Sequence, residues 1–215
     1  MNGPSSPAPA APDPKYARLP SEAQVERTAA SLREHGFEVV IAADAEAARR
    51  EVLSRIPDGS EVLDGASRTL EETGILKALS EHKGLRLLKP KLYAMDRKTQ
   101  GAEIRRLSQA PDVMVGSVHA VTEDGQVLVG SATGSQIGPY AYGAGRLIWV
   151  VGEQKIVRDL NEGLRRLEQY ALPLEDARAR EAYGVGSALN RILILRREHQ
   201  PGRTTLVLVK QKLGF

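Results

Sequence analysis

The chain contains no cysteine, which excludes disulfides, thiolate-bound zinc, iron–sulfur clusters and thiol nucleophiles from it. Any electron transfer then needs another protein or a dissociable cofactor. Aromatic residues are nearly as scarce, with one Trp, six Tyr and two Phe among 215 residues. The core must therefore be built from Val, Leu, Ile and Ala, which suits buried parallel strands and argues against an all-β sandwich. The four histidines, His35, His82, His119 and His199, have no paired spacing, so no metal site is expected. No stretch approaches the roughly 18 consecutive apolar residues of a membrane span. The start "MNGPSSPAPAAPDPK" lacks the basic-then-apolar order of a signal peptide, so a soluble cytoplasmic protein is expected. Thirty basic and 27 acidic residues leave a net charge of +3, a mixed surface that offers nucleic acid no dominant basic face.

What is present reads as one folded unit, residues 21–215, behind an extended or disordered Pro/Ala/Ser tail, residues 1–20. "SEAQVERTAASLREHG" opens with a capping box, Ser21 and Gln24, and stops at Gly36, which predicts a helix. Apolar runs predict strands at 37–42, 60–64, 85–88, 111–121, 126–132 and 146–152. Asp44 caps a helix over 45–56, and Thr69 with Glu72 opens another. "EQKIVRDLNEGLRRLEQY" reads as an amphipathic helix with Ile156, Leu160, Leu164 and Leu167 on one face. The segment 191–210 reads as two strands joined through Pro201-Gly202. Strands alternating with helices predict a mainly parallel sheet covered on both faces, and in such sheets ligands sit beyond the carboxyl ends of strands.

That rule selects three loops. In the first, Gly65, Ser67, Arg68 and Thr69 lie between a strand and a helix start, where backbone N–H groups, hydroxyls and a guanidinium suit a phosphate or carboxylate. The plainer alternative is a tight turn at Gly65, a helix cap at Thr69 and a solvated Arg68. The second loop carries Ser117 and His119 just before Glu123 and Asp124. A histidine and a carboxylate near a strand end suit general acid/base work, although "EDG" is also an ordinary turn. In the third, "GSATGSQIG", Gly130, Ser131, Thr133, Gly134, Ser135, Gln136 and Gly138 form either an oxyanion cradle or a glycine-rich bend. Lys155, after the strand at 146–152, is placed to reach an anion over a strand end. No dinucleotide fingerprint follows an early strand.

Several stretches together resemble the LUD-domain family of lactate-utilisation proteins: "VLDGASRTLEETGIL", "PDVMVGSVHAVTEDGQVLVGSATGSQIG", "RLIWVVGEQKIVRDLNEGLRRLE" and "NRILILRREHQPGRTTLVLVKQKLGF". The resemblance implies a three-layer α/β/α fold of the NagB/RpiA/CoA-transferase-like type. It also implies a part in oxidising L-lactate to pyruvate alongside iron–sulfur partner proteins. Without cysteine the chain can supply only the non-cluster portion, so its own cofactor is left unassigned. The motif best matched is Thr122, Glu123, Asp124, Gly125, Ser131, Thr133 and Gly134, followed by Gly65, Ser67 and Thr69. Three roles stay open at this point: an accessory or substrate-binding component holding a small carboxylate or a phosphorylated ligand; a stand-alone CoA/acyl-transferase-like or sugar-phosphate isomerase-like enzyme with Glu123 and His119 as catalytic groups; and a non-catalytic interaction protein.

Overall fold

A computed structural model describes residues 11–215. Two sheets organise it. Strands β1 (Glu38–Ala42), β2 (Glu61–Asp64), β3 (Arg86–Leu87), β4 (Val113–Gly116), β7 (Arg146–Gly152) and β10 (Thr204–Val209) form a six-stranded sheet in the order β1-β10-β7-β4-β2-β3. Every pairing in it is parallel. Strands β5 (Ala120–Thr122), β6 (Val127–Ser131), β8 (Ile156–Val157) and β9 (Arg191–Leu195) form a smaller sheet, β8-β5-β6-β9, in which β6 runs antiparallel to both its neighbours.

The apolar strands of the larger sheet are buried on both faces. Along β7, Leu147, Trp149 and Val151 enter one core cluster while Ile148 and Val150 enter another, as the two-residue period of a strand dictates. Helices α2 (Ala45–Ser54), α3 (Arg68–Glu72) and α4 (Ile75–Glu81) cover the second cluster through Ala48, Val52, Leu70, Ile75 and Leu79. The first is closed by α1 (Glu22–Glu34), α5 (Leu88–Ala94) and the inward face of the smaller sheet, Val121, Val127 and Val129. Helix α6 (Gly101–Gln109) lends Ile104 and Leu107 to its margin. The outward face of β5 and β6, Ala120 and Leu128, packs on Leu167 and Tyr170. Those residues belong to a helical run: α7 (Leu160–Arg166), a π turn Leu167–Ala171, then α8 (Leu172–Tyr183). The fold is therefore α/β, three-layered around a mainly parallel sheet, with the small sheet and the α7–α8 run added outside one face.

Side-chain caps fix the starts of α1, α2, α3 and α7. Ser21 and Gln24 make both hydrogen bonds of the capping box, and Asp44 accepts from the Ala47 N–H at 2.8 Å. Four expectations are corrected. The helix after β2 is capped by Ser67, not Thr69, because Ser67 is extended and accepts from the Leu70 N–H, leaving Thr69 inside the first turn. The helix expected from 153 begins at Leu160, where Asp159 caps it, and Ile156 belongs to β8 instead. Leu88 starts α5 rather than ending a strand. The single strand expected over 111–121 is two, β4 in the parallel sheet and β5 in the smaller one. The two strands expected at 191–210 are both present, in different sheets, since β10 enters between β1 and β7 while β9 pairs with β6. Of the expected tail, residues 1–10 lie outside the described residues; beyond them, a short 3-10 turn, Pro14–Ala17, buries Tyr16 against Tyr170. Among the described residues no helix is long and apolar enough to cross a membrane.

Candidate functional site

The parallel sheet changes its direction of growth between β2 and β4. From β2 the chain steps outward to β3, whereas from β4 it moves inward to β7. A crevice at the carboxyl ends of those two strands is the expected ligand position. Three segments converge there. Thr69 projects from the first turn of α3, Ser117 follows the last residue of β4, and a 3-10 turn after β7, Glu153–Lys155, returns Lys155 beneath them. Lys155 is 1% exposed, and its Nζ donates to Thr69 Oγ1 at 2.9 Å and to Ser117 Oγ at 3.0 Å. The two hydroxyls are 3.3 Å apart, and Thr69 passes its own proton to the Leu213 carbonyl.

The surroundings hold this cluster from two sides. Tyr140 Oη donates to the Ser117 carbonyl at 3.3 Å, and a Cβ on Gly116 would lie 1.7 Å from Tyr140 Oη, so the close approach requires glycine. From the other side comes the segment Leu213–Phe215. Gln154 brackets Leu213, donating to its carbonyl at 2.8 Å and accepting from its N–H at 3.2 Å. Glu72 accepts from the Gly214 N–H at 2.7 Å.

Electrostatically the region is short of negative charge. Burial holds the Lys155 amine well below its usual value, and the neighbouring Arg166 guanidinium pushes the same way against a weaker pull from Glu72. Burial, with the positive charges of Lys155 and Arg166, pushes the His119 imidazole down to about 3. Arg166 is itself lowered to about 10 by burial, and so remains a cation at neutral pH. The cluster thus sets an amine whose charged form burial disfavours beside two hydroxyls, a combination of groups suited to proton exchange with a bound alcohol.

The structure brings Thr69 and Lys155 together, with Ser117 between them and His119 two residues further on. His119 Nδ1 accepts from the Gly130 N–H at 3.1 Å, so β6 fixes its ring. Gly65 ties the strand ends, its N–H donating to the Val115 carbonyl at 2.9 Å. Ser67 is spent on its cap, and Arg68 pairs with Glu71 at 2.8 Å on the surface. The loop after β6 is closed on itself. The Gly134 N–H donates to Ser131 Oγ at 2.9 Å, Ser131 Oγ to Gln136 Oε1 at 3.0 Å, and Thr133 Oγ1 to Ser135 Oγ at 3.2 Å. Because β6 belongs to the smaller sheet, the rule for parallel strand ends does not reach this loop. Glu123 is not assembled with the cluster. It sits at the other end of the β5–β6 hairpin from Ser131, accepting from Gln24 at 3.1 Å and facing Arg27 at 3.4 Å, both on α1.

Arg166 escapes a reading by charge, since it lies in an Arg-Arg pair in a charged helix. Its spacing from Gly163, Leu167 and Tyr170, all buried, marks it as facing inward. Gln154 and Tyr140 carry no comparable local signal. A surface hollow of about 280 Å³, lined by Pro57, Ser60, Asp112, Val113, Gly145 and Arg146, opens at the amino ends of the parallel strands, away from this cluster. Among the described residues no group of three or more His, Asp or Glu side chains is placed to hold a metal ion.

One solved structure shares this architecture. A DUF162-family protein from Deinococcus radiodurans superposes with a TM-score of 0.55 at 14% identity, over 89% of this chain and 99% of that one, which establishes likeness of fold. The eIF2B delta subunit from Chaetomium thermophilum aligns at a TM-score of 0.36 and 16% identity, over 57% of this chain and 54% of that one. No curated protein matches the sequence. Residues 25–209 match the LUD domain, and the chain belongs to the LUD-domain family.

Proposed function

We propose that the chain is a carboxylate-binding component of organic-acid oxidation, converting L-lactate to pyruvate together with iron–sulfur partner proteins. The observation that carries this reading is the buried Lys155 amine held on the Thr69 and Ser117 hydroxyls beyond the carboxyl ends of β2 and β4. Oxidation of lactate releases two electrons and two protons. Lys155, whose charged form burial disfavours, is suited in its deprotonated form to take the hydroxyl proton, with Thr69 and Ser117 orienting the alcohol oxygen. The C2 hydrogen leaves with its electron pair as hydride to a dissociable hydride acceptor, which passes the electrons on to the iron–sulfur partner; a chain without cysteine has no thiolates to hold a cluster of its own. Membership of the LUD-domain family supports the organic-acid assignment.

Thermal unfolding with L-lactate, pyruvate, coenzyme A and ribose 5-phosphate tests it. A ligand at about a hundred times its dissociation constant stabilises the folded state by about 2.7 kcal/mol. Lactate or pyruvate should raise the midpoint of the wild-type chain and leave Lys155→Met unmoved. A rise only with coenzyme A or the sugar phosphate would replace the reading with a transferase or isomerase. Lactate oxidation by the purified chain alone would remove the need for partners.

A further inference from the structure

We propose that Arg166, together with the Tyr16 hydroxyl, forms a buried receptor for a carboxylate group, an assignment that does not depend on the lactate reading. Arg166 is fully buried, and its side chain is held from two directions. Nη1 donates to the His119 carbonyl, and the guanidinium lies over the Tyr170 ring at 5.0 Å from its centroid. The other two nitrogens, Nε and Nη2, are buried and have no hydrogen-bond partner among the described residues. Those two lie on one edge of the guanidinium, the edge that grips a carboxylate with two parallel N–H···O bonds. Tyr16 Oη is likewise buried without a partner, and its ring lies 6.2 Å from that of Tyr170.

The charge around this edge is also unbalanced. The groups that bear on it are Tyr16 and Tyr170, which only partly offset the cost of burial, and the nearby Lys155 and His119, neither of which supplies negative charge. Residues 1–10 contain no Asp or Glu, so that segment has no acidic side chain to offer. A buried guanidinium with unfilled donors and no counter-ion is costly, and a carboxylate that accepts from Nε, Nη2 and the Tyr16 hydroxyl removes both costs together. Two short segments cover the place. The 3-10 turn bearing Tyr16 is tied down by the Asp13 N–H to the Gln169 carbonyl at 2.8 Å, and Phe215 packs on the same apolar cluster. Displacement of either gives a small acid entry without opening the main core.

The test is a titration of the full chain with acetate, following the Arg166 Nε–H resonance by proton–nitrogen NMR. Its assignment comes from loss of the signal in Arg166→Lys. The wild-type resonance should move and saturate with acetate, and Tyr16→Phe, which keeps the ring and removes only the hydroxyl, should bind acetate roughly tenfold more weakly. No movement of the wild-type resonance at saturating acetate would overturn the receptor. An equal response to chloride would overturn the carboxylate assignment, and an unchanged affinity in Tyr16→Phe would remove Tyr16 from it. If Arg166→Lys fails to fold, the Nε–H resonance is assigned instead by its nuclear Overhauser contacts to the Tyr170 ring beneath the guanidinium, and the comparison with Tyr16→Phe still decides the outcome.

Discussion

Lys155 and Arg166 face the same shortage of negative charge and meet it differently. The amine has a pKa that burial can depress, so Lys155 sheds its proton more readily, whereas the delocalised guanidinium of Arg166 keeps its charge. The sign of the Lys155 effect follows from proton counting. Between its depressed folded pKa and about 10.5, the unfolded chain binds a proton that the folded chain does not, so this residue makes stability rise with pH. Urea midpoints measured at about pH 6 and pH 9 should therefore rise in the wild type and rise less in Lys155→Met. His119 acts in the acid range by the same logic. Between about 3 and 6.5 the folded chain holds a neutral imidazole where the unfolded chain is protonated, so stability falls with falling pH by as much as about 1.4 kcal/mol per unit. His119→Asn, whose side-chain oxygen can still accept from the Gly130 N–H, should flatten that fall in urea titrations.

At the scale of elements, the site depends on how strands end. β4 stops at Gly116 because Tyr140 crosses there, with its ring edge-on to Trp149 at 5.2 Å. Gly116→Ala should force that tyrosine off the Ser117 carbonyl and cost about 1–3 kcal/mol, the usual range for overpacking. Combining it with Tyr140→Phe, which removes the nearest atom, should recover part of the loss in a double-mutant cycle. The closing segment makes a second such contact. Gly214 has a φ of +57°, and a Cβ there would lie 2.5 Å from Thr69 Oγ1. Gly214→Ala is expected to lift Leu213–Phe215 away, read as faster amide exchange at Leu213 and Gly214 while the core amides stay protected. The π turn after α7 belongs to the same scale: the Leu172 N–H reaches back to the Leu167 carbonyl, and the wider turn falls directly beside Arg166 and Tyr170.

For the whole molecule, the decisive feature is the division into two sheets. The β5–β6 hairpin places His119 and Glu123 at different points along the small sheet, and the carboxylate is engaged by α1. Glu123→Gln should leave carboxylate affinity at the Lys155 cluster unchanged and alter stability by no more than about 1 kcal/mol, as for other exposed pairs. Calorimetric titration and urea unfolding of the same preparation check both halves of that expectation. A large loss of affinity would mean that the hairpin and the Lys155 cluster are coupled.

Elements whose signals are local can be read directly from the chain. The capping box at Ser21, the cap at Asp44 and the unbroken apolar run of β7 all appear where short-range pattern places them, because caps and strand periodicity involve neighbours a few residues apart. The parallel sheet was legible for the same reason, and with it the rule that pointed to the loops after β2 and β4. Tertiary structure alone decided which loop residues meet. Thr69, Ser117 and Lys155 are separated by 48 and 38 positions, and nothing local to any of them specifies the others. It also decided that β6 joins the small sheet rather than the parallel one, since an apolar run records that a strand is buried but not which strand it pairs with. Arg166 marks the boundary between the two kinds of information: its helical spacing points it inward, but its unfilled Nε and Nη2 become apparent only when Tyr16, Tyr170 and the His119 carbonyl are packed around it.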